Sequence, residues 1–483
     1  MGTGRNLLVG AAWMYGAQAI SVLVQFAYAA ITSRYVAPAG FGAYAIALSV
    51  AGLVALLSSG GIAQSVARMT ELDRPHIRAL VSYALILGGG AAAFVWLSSP
   101  FWASAWGDVS ATPVIRWLAV SSFVAPLSGI ATTLMRRKGS FRALALIALL
   151  SNLVGMGAGA IAVIEFKSAS ALVMSSIVAQ LLLVLGALSL TGGDLWGLAR
   201  LKRARNEVRF SGHLTAIKFV EYLIGNITKF STSRAIGSSY FGYWNRADVL
   251  TSVPFQQVQV ALIQAISPEF RHDIGNAERA RHVWTDLLIL VAWFALPLSA
   301  LAAVIMPALV PIFFGPGWTI TSALVVPLAL SAGLQMMSMV LSSAVETLGR
   351  FSWMWITSAL LLAVQVAGAM SVFVYQDIIF AMVALIVTQI ARHSVQIALC
   401  GKNGYLNITR LARNYLVVVV FSTLVAAIGV GVCTLVPLAL TSPTLWGLIA
   451  LIVFGAAVLL WRFRDRLPPV ILAKKYGLFG RES

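Results

Sequence analysis

The side chains best able to do chemistry in this chain lie inside apolar runs, and most are positive. Residues 211–250 read SGHLTAIKFVEYLIGNITKFSTSRAIGSSYFGYWNRADVL. The stretch opens as a membrane-spanning pattern yet carries Lys218, Glu221 and Lys229. A charge at that depth costs at least ~2.5–3.5 kcal/mol on insertion scales, so it normally faces protein or a wet passage. At ~100° per residue, Lys218, Tyr222, Gly225, Lys229 and Thr232 share one helix stripe, with the lysines roughly 16 Å apart along the axis. Glu221, one turn from Lys218, reads as its ion-pair partner, with a proton or Na⁺ site as the alternative. Arg246 and Asp248 stand where the next span begins and are expected to pair with each other or to cap it. Gln18 and Gln25 lie seven apart on the first span, as do Gln257 and Gln264 on the eighth. Such amides bind neighbouring helices or sugar hydroxyls.

The same stretch has an echo. Residues 31–50 read ITSRYVAPAGFGAYAIALSV and residues 231–250 read STSRAIGSSYFGYWNRADVL. Thr32/Thr232, Ser33/Ser233, Arg34/Arg234, Phe41/Phe241, Gly42/Gly242 and Ala47/Ala247 match without a gap. A repeat at this offset predicts a two-lobed protein in which the first and seventh spans correspond. Arg34 and Arg234 then occupy equivalent positions at one membrane face, as an outer-gate cluster or as interfacial anchors.

Elements of one kind must position these residues. The chain is 59% hydrophobic and only 10% charged, with a mean hydropathy of +0.88. That composition exceeds what a soluble core needs. Apolar runs fall at about 7–32, 41–63, 79–102, 114–135, 142–164, 168–190, 212–234, 247–267, 284–313, 319–345, 352–375, 378–399, 414–436 and 444–461. Each approaches or exceeds the ~17–25 residues that cross a bilayer. Pro297, Pro307 and Pro311 could kink or split the ninth run. With the N-terminus in the cytoplasm and alternating spans, most of the 34 Lys and Arg residues fall in cytoplasmic segments. That bias supports an even number of spans with both termini inside a plasma membrane. The net charge of +18 therefore marks topology rather than nucleic-acid binding.

The expected fold is an all-α polytopic membrane protein of about 14 transmembrane helices. The expected divisions are an N-terminal six-helix lobe over 1–190, a basic cytoplasmic linker over 191–211, a C-terminal six-helix lobe over 212–400, and two further helices with a basic tail over 401–483. Six spans precede the linker, so the two repeats enter the membrane in the same orientation. Cys400 and Cys433 are the two cysteines and offer neither a disulfide framework nor a metal site. No phosphate-binding G-x-x-x-x-G-K-[ST] loop exists. No metal or other cofactor is expected, and any uphill work would draw on an ion gradient such as H⁺ or Na⁺, the membrane potential or consumption of the product. The loops outside are short, which argues against a membrane glycosyltransferase or polymerase and for a protein that is not an enzyme.

The chain resembles the Wzx-type polysaccharide flippases of the multidrug/oligosaccharidyl-lipid/polysaccharide exporter superfamily. The resemblance spans about residues 5–400 and is most specific over 222–247: Asn226, Arg234 with Gly237, Phe241-Gly242-Tyr243-Trp244 and Ala247. Further matching pieces are Arg34 with Pro38, Phe41 and Gly42; Arg136-Arg137 with Phe141-Arg142; Ile266-Ser267-Pro268; Phe314-Gly315 with Gly317-Trp318; and Gly349-Arg350. It departs at Thr228 and Ser233, where the family usually has Asp and Gly, so a coupling role for an acid at 228 is not carried over. The resemblance implies two six-helix bundles around a central cavity plus two peripheral helices. It also implies alternating-access transfer of a polyprenyl-pyrophosphate-linked oligosaccharide to the outer face, for exopolysaccharide or O-antigen synthesis. Partners would be that substrate, membrane lipids, and polymerase and chain-length or export proteins. The pyrophosphate suits Lys218, Lys229, Arg34 and Arg234, because lysine binds phosphate as a point charge and arginine as a fork. Gln18, Gln25 and Asn226 are the amide candidates, and Glu221, Asp248 and Arg246 the coupling or gate candidates. The rival of the same fold is a cation-coupled multidrug antiporter. That rival should carry an acidic passage, whereas the intramembrane charge here leans positive.

Overall fold

A computed structural model describes residues 2–59, 66, 74–191, 205–272 and 277–435. These form thirteen α-helices: α1 (Gly2–Tyr35), α2 (Pro38–Ser59), α3 (Arg74–Ala105), α4 (Ala111–Arg137), α5 (Phe141–Phe166), α6 (Val173–Thr191), α7 (Arg205–Ala235), α8 (Ser238–His272), α9 (Ala277–Phe314), α10 (Thr319–Thr347), α11 (Phe351–Tyr375), α12 (Ile378–Lys402) and α13 (Ile408–Leu435). No strand occurs among the described residues. The thirteen helices overlie the first thirteen predicted spans in order. The fourteenth, 444–461, lies outside the described residues, as does most of the 191–211 linker.

Eleven described helices are long and apolar enough to cross a membrane, and α7 and α8 are not among them. Those two carry the charges singled out above. The cost of burying such charges in lipid makes protein neighbours a requirement for these helices rather than an option.

Pro297, Pro307 and Pro311 all lie inside the single helix α9, so of the two expectations for the ninth run, a kink or a split, the split does not occur. Prolines are tolerated in membrane helices because neighbouring helices and hydroxyl side chains re-satisfy the freed carbonyls.

The chain divides into two compact units. The first holds residues 1–249, 313–320 and 365–381; the second holds 250–312, 321–364 and 382–483. In the first, α3 packs on α4, α5 on α6, α1 on α5 and α2 on α4, with α2 also touching α7. Helices without a hydrophobic driving force between them associate where small residues let backbones approach. A Cβ on Gly155 or Gly159 of α5 would crowd the α6 backbone at Ser175. Ile77, Leu80 and Ala84 of α3 meet Ile130 and Leu134 of α4 in the core of this unit. The second unit is built around Trp284, Leu288 and Ala292 of α9, Met336 and Val340 of α10, and Phe270 of α8. Large apolar side chains such as Leu97, Phe101, Phe166, Val374 and Leu416 remain exposed, as a lipid-facing surface requires.

Candidate functional site

The α1–α2 and α7–α8 corners are built alike. Thr32 Oγ1 donates to the Tyr28 carbonyl at 2.8 Å, and Thr232 Oγ1 donates to the Thr228 carbonyl at 2.8 Å. α2 then starts at Pro38, and α8 starts at Ser238 after Gly237 at φ 122°, a left-handed conformation that favours glycine. The two new helices cross at matched glycines. A Cβ on Gly42 would collide with the Ser238 carbonyl, and one on Gly242 would collide with the Pro38 carbonyl. The contacts are reciprocal at the repeat offset read from the sequence, which relates the two segments by a local two-fold.

Two tryptophans close these corners crosswise. Trp318 donates its indole N–H to the Ser33 carbonyl at 3.1 Å and sits edge-on to Phe41 at 5.4 Å. Trp106 stacks on Phe241 at 5.6 Å, and its carbonyl accepts the Ser233 hydroxyl at 2.9 Å.

Two cations lie just past the crossing, in different surroundings. Lys229 Nζ is 3.3 Å from Asp248 Oδ2, both side chains being 26% exposed, and it lies 5.7 Å from the Trp244 ring. Arg246 is 5% exposed. Its guanidinium stands 4.1 Å over the Phe41 ring, and its Nη2 donates to Asn245 Oδ1 at 2.9 Å. Its Nε and Nη1 have no hydrogen-bond partner, and no carboxylate pairs with it, among the described residues. The Tyr28 and Tyr44 hydroxyls are close enough to interact with it electrostatically. A buried guanidinium held by a ring face and the Asn245 amide keeps forked donors for an anionic ligand.

The structure corrects two pairings. Asp248 pairs with Lys229, not with Arg246. Residues two apart on a helix point in opposed directions, whereas α7 brings Lys229 alongside. Nor do Lys218 and Glu221 form an ion pair: Lys218 is half-buried and Glu221 is exposed. A pair three apart gains only ~0.2–0.5 kcal/mol, too little to fix two long side chains.

The other candidates disperse along α1 and α7. Gln18 is exposed and Gln25 half-buried. Asn226 turns its amide back to the Tyr222 carbonyl at 2.9 Å, and Tyr222 donates to the Ser49 carbonyl of α2. Arg34 is exposed at the end of α1. Arg234 is exposed at the end of α7, with Nη1 3.4 Å from the Ser104 carbonyl. Thr228 donates to Gln365 Oε1 at 2.8 Å, both side chains being buried. In the second unit, buried Asp286 meets Arg410 Nη2 at 2.7 Å. An apolar pocket of ≈ 570 Å³ lies there among α9, α10 and α13, lined by Ala300, Val304, Leu330, Val419 and Ala426.

Sequence reasoning passed over Tyr28, Tyr44, Trp106 and Gln365. A signal for Trp106 was present. Phe101-Trp102 precedes it as Phe313-Phe314 precedes Trp318, at the same spacing. The tyrosines had no such signal, because an aromatic inside an apolar run reads as core.

Comparison with known proteins agrees with this architecture. The profile of a family described as "Polysaccharide biosynthesis protein" matches residues 31–323. The lipopolysaccharide biosynthesis protein WzxC of Escherichia coli (strain K12) is 23% identical over 323 residues, 66% of this chain and 65% of that protein. The succinoglycan biosynthesis transport protein ExoT of Rhizobium meliloti (strain 1021) is 24% identical over 320 residues, 64% of this chain and 63% of that protein. The matches thus span less than two thirds of either relative's length. Among solved structures, the lipid II flippase MurJ in an inward closed conformation superposes with a TM-score of 0.73 at 12% identity, covering 95% of this chain and 99% of MurJ. An inward-facing multidrug resistance MATE family transporter gives a TM-score of 0.59 at 13% identity, covering 82% and 94%. These likenesses show the fold. The family profile runs through both corners, the glycine crossing and Arg246, and on that match the chain belongs to the polysaccharide biosynthesis protein family.

Proposed function

We propose that the chain translocates a polyprenyl-pyrophosphate-linked oligosaccharide from the cytoplasmic to the outer face of a bacterial inner membrane, by alternating access. The observation that carries this reading is Arg246, buried and without a carboxylate partner among the described residues. An uncompensated buried charge costs several kcal/mol unless a counter-charge arrives. A pyrophosphate supplies that charge, and Lys229 lies on the adjoining helix to share it once released from Asp248. The sugar head cannot cross ~30 Å of hydrocarbon unaided, whereas the polyprenyl tail needs no carrier. WzxC and ExoT bear names from lipopolysaccharide and succinoglycan biosynthesis, which supports an exopolysaccharide or O-antigen role.

The proposed topology keeps both termini cytoplasmic, with lobes 1–190 and 212–400 in parallel orientation. Polymerase and chain-length or export proteins are the proposed partners. Coupling to H⁺ or Na⁺ would need an acid. Thr228 and Gln365 offer none, which leaves Glu221 and Asp248 as the coupling candidates in this unit. A positive interior also favours an anionic head group over the cationic drugs of the antiporter alternative.

The test is transfer of a lipid-linked oligosaccharide in proteoliposomes, read by access of an external glycosidase to the sugar. The wild-type chain should expose the inner-leaflet pool, and Arg246→Gln should not. Equal exposure by both would remove the site from the reaction.

A further inference from the structure

Arg116 is a cation that the translocation site does not use. It lies on α4, and its Nε donates to Ser99 Oγ of α3 at 3.1 Å. Its guanidinium carbon is 5.6 Å from the Trp96 ring. The residue is exposed, and its remaining N–H groups have no acceptor among the described residues. Its helix stripe continues through Val120 and Phe123, at i+4 and i+7, which are 37% and 38% exposed. Beside it on α3, Trp96 and Leu97 are 52% and 78% exposed. A stripe of exposed apolar and aromatic side chains is a surface made for lipid, not the wall of a wet passage. An arginine at its margin is therefore immersed near the hydrocarbon edge, with one face on an indole and the outer fork open.

We infer that Arg116, Trp96 and Ser99 form a binding site for the phosphate of an anionic glycerophospholipid on the bilayer-facing surface of the α3–α4 hairpin. Three features fit that ligand. A guanidinium donates two parallel hydrogen bonds to a phosphodiester where an ammonium gives one. The Ser99 hydroxyl and the Trp96 face fix the plane of the fork, so less freedom is lost on binding. The exposed apolar stripe runs away from the charge along the helix, as an acyl chain would from its head group. The charge favours a net-negative lipid over a zwitterionic one. This site is independent of Arg246 and of the translocation reading.

Native mass spectrometry of the purified full chain, released from detergent containing phosphatidylglycerol, tests the assignment. The wild-type chain should retain one more phosphatidylglycerol than Arg116→Gln, and Trp96→Leu should retain it less often than wild type. Phosphatidylcholine in place of phosphatidylglycerol should remove the difference, and added inorganic phosphate should not. Should Arg116→Gln fail to fold, Arg116→Lys keeps the charge, loses the fork and should show the same deficit. Equal retention by wild type and the folded variants overturns the site. A difference abolished by inorganic phosphate assigns the fork to free phosphate and likewise overturns a lipid site.

Discussion

The corner at Phe41 and the corner at Phe241 share a scaffold and differ in charge. Each has a buried threonine bonded back one turn, a phenylalanine under a tryptophan from elsewhere in the chain, and a glycine pressed on the other corner's helix start. At Phe241 the neighbouring ring is Trp244, and the cation beside it, Lys229, is neutralised by Asp248. At Phe41 the ring lies directly beneath Arg246, which has no carboxylate partner among the described residues. The matched parts belong to the frame and the unmatched part to the ligand. Duplicated sequence accounts for the first. A single substitution at the repeat offset accounts for the second: where α8 carries Arg246, α2 carries Ile46, apolar and fully buried.

The largest effects should come where the corners agree. Gly42→Ala and Gly242→Ala each drive a Cβ into a carbonyl of the opposite helix start. Both should abolish monodisperse protein in detergent to the same degree, measured by size-exclusion yield. A tolerated substitution at one site only would break the two-fold reading.

Arg246→Gln comes next and should separate the corners. It should reduce translocation by at least about 30-fold, corresponding to the ~2 kcal/mol lower bound for truncating a buried charge contact, while the protein stays folded. Arg246→Lys should not restore it, because the fork and the stacking on Phe41 are lost. Trp106→Ala and Trp318→Ala should each destabilise the fold by about 3–5 kcal/mol, the range for deleting a buried large aromatic. Trp318→Ala should cost the more, since it also removes the bond to the Ser33 carbonyl. Chemical denaturation in mixed micelles measures both.

The smallest effect belongs to the ion pair. Lys229 and Asp248 are each about a quarter exposed, so the pair should contribute under about 1 kcal/mol. A double-mutant cycle with Lys229→Ala and Asp248→Ala checks this. A coupling several times larger would make Lys229 a structural cation and weaken its proposed role with the ligand.

Much of this was legible in the sequence, for physical reasons. Eleven of the predicted spans needed only hydropathy and length, because lipid leaves the backbone no choice but helix. The repeat was readable because six residues at one offset had to keep the same corner geometry. Partnerships were not readable. Spacing on one helix put Glu221 near Lys218 and Asp248 near Arg246, but α7 and α8 lie side by side, and the tertiary contact between Lys229 and Asp248 prevailed. Arg246 could be read only as a gate candidate, because its isolation depends on what α2 places against it. The prolines of α9 left both a kink and a split open in the sequence, and the continuous helix excludes the split.

The role proposed for Arg246 is to hold an anionic head group from a buried position. Its most direct test is equilibrium binding of a sugar-free polyprenyl pyrophosphate to the purified chain. Arg246→Gln should bind at least about tenfold more weakly than wild type, a ~1.4 kcal/mol difference, while Gln18→Ala should bind within about twofold. Equal affinity for wild type and folded Arg246→Gln would contradict it.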